Sequence, residues 1–117
     1  MATSGFGAYV RHQPSVAIVD LQGEINTLAE NTLNTAYDEA VSQQPEVILL
    51  NFSQVDYINS TGIALVVGLL KRARQAGLPL IAYGLSEHYV EIFQITRLTD
   101  FMPLFPDETT ALAGKHS

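Results

Sequence analysis

The segment that most constrains this chain is residues 46–84, "EVILLNFSQVDYINSTGIALVVGLLKRARQAGLPLIAYG". Its first seven residues, "EVILLNF", are short, partly β-branched and apolar at consecutive positions, which is the pattern of a central strand covered on both faces. A polar turn is expected next, and then a helix from Ser60 or Thr61 to Ala76. That helix is apolar nearly all round through Leu70, so it is expected to be largely buried. Gly77 supplies the left-handed residue that often ends a helix, and Pro79 blocks its continuation. "LPLIAYG" at 78–84 then reads as a second strand. Strand, helix and strand at this spacing form a parallel crossover, and that places the chain among α/β folds.

The flanking segments extend the same pattern. Residues 7–12 and 16–25 read as two strands around Pro14 and Ser15, with Gly23 marking the end of the second. A helix starts near Thr27, where Thr27 and Glu30 have the spacing of a capping box. Its inner stripe is Ala29, Leu33, Ala36, Tyr37 and Ala40, and Gln44-Pro45 breaks it. Ser86 caps a shorter helix with Tyr89, Val90 and Phe93 inward. "FMPLF" is a short extended piece, "DETTALAG" a last helical turn or two, and "KHS" a loose tail. The expectation is a single α/β domain over 1–117, with its core at about 7–113. A small mixed β-sheet would carry helices mainly on one face.

Composition excludes several functions. The 117 residues carry a net charge of −6 and no cysteine, so a disulfide framework or thiolate zinc site is ruled out. Seven acidic side chains stand against Arg11 alone in residues 1–60, while the remainder is balanced. Without a basic stripe, nucleic acid is not an expected partner. "KRAR" at 71–74 is the one basic cluster, and cations suit the last turn of a helix. "GIALVVGLL" is too short to cross a bilayer, and the start of the sequence lacks a signal-peptide pattern. A cytoplasmic protein with no membrane association and no cofactor is expected. Apolar residues on an edge strand could pair molecules into a weak homodimer.

The chemistry-bearing candidate is "NSTG" at 59–62, preceded by Asp56. Metal binding is disfavoured because His12, His88 and His116 are scattered, and the one local pair, His88 with Glu91, reads as an exposed helix face. A small serine hydrolase built on Ser60 would need the first glycine of G-x-S-x-G and a placed base, and both are missing. Two readings of the hydroxyls remain open. Ser60 or Thr61 can cap the helix, or one of them can be a regulated site.

"VAIVDLQGEIN", "VILLNFSQVDYINSTGIALVVGLLKRARQAG", "LPLIAYG" and "VEIFQITRLTDFMPLF" occur in one order and spacing. Together they resemble the STAS domain family, and within it the stand-alone bacterial anti-sigma factor antagonists. The likeness runs from about residue 7 to about 113, and its most specific part is "YINSTGI". The resemblance implies a non-enzymatic regulator. It implies an anti-sigma factor/serine kinase and a phosphatase as partners, with Ser60, or less readily Thr61, as the phosphorylated residue. Partner-contact roles fall on Asp56, Asn59, Ser60, Thr61 and Gly62, and on Asp20 and Glu24. Family members usually carry aspartate where this chain has Asn59, so a scaffold or sensor that is never phosphorylated remains the alternative reading.

Overall fold

In strands β2 (Val16–Ile25) and β3 (Val47–Ile58) successive side chains point to opposite faces, and both faces are apolar. The computed structural model, which describes residues 5–114, sends Ala17, Val19, Leu21, Ile48, Leu50 and Phe52 into one core cluster. Val16, Ile18, Val47 and Leu49 go into a second cluster on the reverse face. The sheet therefore has to be covered on both sides, and helices supply the cover.

Strand β1 (Gly7–Gln13) pairs antiparallel with β2 through a hairpin in which Ser15 adopts φ 67. β2, β3, β4 (Leu80–Tyr83) and β5 (Leu104–Phe105) are parallel, in the order β1-β2-β3-β4-β5. Helices α1 (Glu30–Val41), α2 (Ser60–Gln75) and α3 (Glu87–Ile95) pack on the larger cluster, where Phe93 meets Phe52 edge-on at 6.0 Å. Helix α4 (Glu108–Gly114) covers the other face with Ala111. The result is a mixed α/β fold with helices mainly on one face. Among the described residues no helix is long and apolar enough to cross a membrane.

The expected α1 stripe is buried from Ala29 to Ala40, and Gly77 takes φ 69 at the end of α2. Four details differ from the sequence-based expectation. First, the capping box is absent: the Asn26 side chain accepts from the Leu28 N–H at 2.9 Å, and a 3-10 turn, Thr27–Ala29, separates it from α1. Second, β3 runs on to Ile58 instead of turning after Phe52, pairing Val55 with Gly23, Tyr57 with Glu24 and Ile58 with Ile25 across register shifts. This outer part of the strand has few neighbours to bury it, so its residues are polar and resemble a turn in sequence. Third, β4 is shorter than residues 78–84. Fourth, α2 buries Gly62, Val66, Leu69, Leu70 and Ala73 but leaves Ala64 and Gly68 exposed. Helices α1, α2 and α3 form one layer with nothing outside it, and small residues lie on the outer face of α2.

One polar row fastens the second layer. Asp20, Asn51 and Tyr83 are register neighbours on β2, β3 and β4. Asp20 accepts from Arg11 at 2.6 and 2.8 Å and from the Asn51 amide at 2.8 Å. Arg11 and the Tyr83 hydroxyl both donate to Glu108 of α4, at 2.8 and 2.7 Å. Burial raises the Asp20 carboxyl, but its bonds from Arg11 and Asn51 outweigh this and leave it below the ordinary range. Arg11 and Tyr83 hold Glu108 low as well. Burial, reinforced by the bond to Glu108, pushes the Tyr83 phenol up.

The two lowered carboxyls contribute stability that is present above their unfolded pKa of about 4 and is lost as pH falls through the lower folded values. Glu108→Gln should cost about 1 kcal/mol at pH 7, discounted for the partial exposure of the pair. The gap to the parent in urea unfolding should narrow as pH is lowered toward 3. A gap of constant size at every pH would show that the ion pair does not tie α4 down.

Candidate functional site

The start of α2 is held by the end of β2. The Ile25 carbonyl, the last of β2, accepts from the Asn59 N–H at 3.2 Å. Asn59 has extended backbone (φ −88, ψ −179), and its side-chain oxygen accepts from the Gly62 N–H at 2.8 Å. Its own carbonyl accepts from Ile63 at 2.9 Å. Asn59 is thus the N-cap, a role the sequence left to Ser60 or Thr61. An asparagine oxygen satisfies the orphan amide as well as an aspartate oxygen does.

Because Asn59 caps the helix, Ser60 is released from that duty. Ser60 is the first residue of α2 and is exposed, and no group among the described residues hydrogen-bonds its hydroxyl. Thr61 is exposed beside it. Gly62 is buried, and a Cβ there would overlap the Ile25 carbonyl oxygen and approach Ile58 Cγ2 at 2.9 Å. Only a residue without a side chain lets the helix start this close to the strand.

The register places Glu24 and Asp56 at the same end of the sheet, since Glu24 pairs with Tyr57 and Ile25 with Ile58. Glu24 is half-buried and Asp56 exposed. Asp20 is placed elsewhere, in the polar row beneath α4, with its carboxylate engaged by Arg11 and Asn51. The site therefore gathers Glu24, Asp56, Asn59, Ser60, Thr61 and Gly62, without Asp20.

Three neighbours were not singled out from the sequence as part of this site. The buried Tyr89 of α3 is an expected core residue, but its hydroxyl also accepts from the Ile58 N–H at 2.9 Å, pinning the strand end from a third element. Leu28 is 87% exposed and Tyr57 52% exposed, on the turn and strand that flank the junction. Leu28 falls outside the α1 stripe, and that mismatch was the one available signal. A tyrosine hydroxyl reaching 31 residues back leaves no trace in local sequence.

The arrangement offers an accessible, uncapped hydroxyl at the positive end of a helix dipole, where an added anion is electrostatically tolerated. It offers no activated nucleophile. His88 contacts Tyr89 edge-on and has no hydrogen bond to Ser60, and among the described residues no group of three or more metal-ligating side chains could hold a metal ion. Gly62→Ala is expected to lower stability by about 2 kcal/mol, because overlap with an immobile backbone oxygen outweighs the ~1 kcal/mol gain in helix propensity. Thermal unfolding checks this, and an unchanged or raised midpoint would contradict the close approach.

The model of the STAS domain matches residues 8–111. An anti-sigma-B factor antagonist of Listeria monocytogenes is 29% identical over 82 residues, covering 70% of this chain and 72% of that one. The crystal structure of an anti-sigma factor antagonist from Mycobacterium paratuberculosis superposes with a TM-score of 0.78 at 21% identity, over 99% of this chain and 98% of that one. The Bacillus cell fate determinant SpoIIAA in its phosphorylated form superposes with a TM-score of 0.69 at 20% identity, covering 92% and 97%. Matched by the family model from β1 into α4, the chain belongs to the STAS domain family.

Proposed function

We propose that the protein is an anti-sigma factor antagonist that binds an anti-sigma factor/serine kinase and is released by phosphorylation at Ser60, with a phosphatase restoring the binding form. The observation that carries this reading is the exposed Ser60 hydroxyl, which the Asn59 cap frees from any structural bond. The similarity to proteins named anti-sigma factor antagonists, and to one such fold in a phosphorylated form, supports it. The flanking Glu24 and Asp56, with Thr61 and the exposed Leu28 and Tyr57, complete a partner surface with an apolar anchor on either side.

The physics of release is a matter of charge. Phosphorylation adds about −1.5 to −2 charges at neutral pH. At the first turn of α2 the helix dipole compensates part of this, so the fold tolerates the modification. A partner surface that accommodates a neutral hydroxyl beside acids does not. Two like charges ~4 Å apart at an effective dielectric of ~20 repel by up to ~4 kcal/mol. At ~1.4 kcal/mol per decade, this weakens binding by roughly a hundred- to a thousandfold.

A second reading has its own observation. Asn59 keeps the cap but lacks the charge that family members usually carry there, and a scaffold or sensor that is never phosphorylated has no need of that charge.

Ser60→Ala should fold and bind the kinase partner with affinity near that of the parent. Ser60→Asp should fold and bind roughly a hundredfold more weakly, with one charge rather than two. Isothermal titration against the purified partner decides, and equal affinities for the two variants would sink the charge-gating account. Asn59→Asp retains a capping oxygen and adds a favourable helix-terminal charge, so stability should hold or rise by ~0.3–1 kcal/mol. If the missing acid orients the hydroxyl for the kinase, phosphate incorporation into Asn59→Asp should be about tenfold faster, ~1.4 kcal/mol of barrier. An unchanged rate would reduce residue 59 to a cap.

A further inference from the structure

The basic run at 71–74 is divided by the fold. Arg72 turns toward α1, where it donates to Asp38 at 2.8 Å and Asn34 at 3.1 Å and lies over the Tyr37 ring. Lys71 and Arg74 turn the other way, toward the 3-10 turn Leu98–Asp100 that follows α3. There they meet Arg97, whose backbone is left-handed at φ 68. The three cations rim a groove of about 320 Å³ floored by Leu70, Leu98 and Phe101. The Arg74 guanidinium lies 4.4 Å from the centre of the Phe101 ring. Beyond this stack a second hollow of about 300 Å³ opens against Gly77 and Leu78, sharing Arg74 and Phe101 with the first.

Two features of this surface point outward. Phe101 remains 51% exposed, and Ile95, next to the groove-lining Thr96, is 71% exposed. Single exposed apolar residues are ordinary, but Phe101 lines both of two adjoining hollows, the first of them mainly apolar. The charge is more telling. Three of the six basic side chains of a chain with net charge −6 gather here, and no acidic residue lines either hollow. Arg97 shares its Nε with Asp100 at 2.8 Å, whereas Lys71 and Arg74 make no ion pair among the described residues. The surface also stands apart from Ser60, since Arg74 is some 21 Å further along α2 at ~1.5 Å per residue.

We propose that this groove docks an acidic amphipathic segment of a partner protein. Apolar side chains of the segment fill the first hollow and pack on Phe101, and its carboxylates meet Lys71, Arg74 and Arg97. Among the described residues Lys71 and Arg74 have no carboxylate of their own to meet, and this unmatched charge selects an acidic partner segment. The inference is independent of Ser60 and of any phosphorylation there.

The test uses the full chain and a fluorescein-labelled helical peptide with leucine on one face and glutamate on the other. Anisotropy should show saturable binding that weakens with salt and falls at least about tenfold in K71E/R74E. Amide shifts should move at Leu70, Leu98 and Phe101, and a peptide with lysine replacing glutamate should not bind. Lys71 and Arg74 are both exposed, so the double variant is expected to fold, with circular dichroism as the check. If it does not fold, Phe101→Ser provides the same comparison. The proposal is overturned if the parent shows no saturable binding, if K71E/R74E binds equally well, or if the shifts cluster around Ser60. It is also overturned if the parent self-associates through this face, or if laurate saturates the groove and the peptide does not.

Discussion

The contact between the Ile25 carbonyl and the residues that open α2 organises the functional end of this molecule. That oxygen accepts from the Asn59 amide and lies against Gly62, so the end of one central strand fixes where the longest helix begins. Tyr89 adds a third support by accepting from Ile58. A hydroxyl one residue beyond such a junction is held at a defined position without being bonded itself. Ser60 combines a fixed backbone with a free side chain, and a modification site needs both.

The same junction explains how a modification could alter binding without disturbing the fold. The capping bond is made by Asn59, so a group added to Ser60 breaks no structural hydrogen bond. The helix terminus supplies a compensating partial charge. Any large effect of an anion there falls on whatever molecule lies against it. The polar row of Arg11, Asp20, Asn51, Tyr83 and Glu108 performs a separate task beneath α4, and its bonds join all four of the longer strands to that helix. Asp20 belongs to that task.

The sequence was most legible where burial was complete. The two-sided apolar run at 47–50, the α1 stripe and the Gly77 stop all follow from periodicity and backbone chemistry, and all are present. It was least legible where the environment is mixed. The outer half of β3 is polar because the strand outruns its cover, so "SQVDY" looks like a turn. The outer face of α2 is small and apolar, so the helix looked more buried than it is. At the site, residues 59–62 were legible as a unit, but the division of labour within them was not. Both an asparagine and the following serine can cap a helix, and only the backbone angles choose between them. The contribution of the Tyr89 hydroxyl depends on elements brought together by the fold and has no local signature, whereas Leu28 showed only as a mismatch with the α1 stripe.

The proposed role of Ser60 is that of a reversible charge switch. The most direct test is intact-mass and peptide-mapping mass spectrometry on the protein isolated from its native host across growth conditions. The account predicts phosphate on Ser60 in a fraction of molecules that varies with condition. Absence of phosphate from Ser60 under every condition would contradict it and leave the unmodified scaffold as the function of this surface.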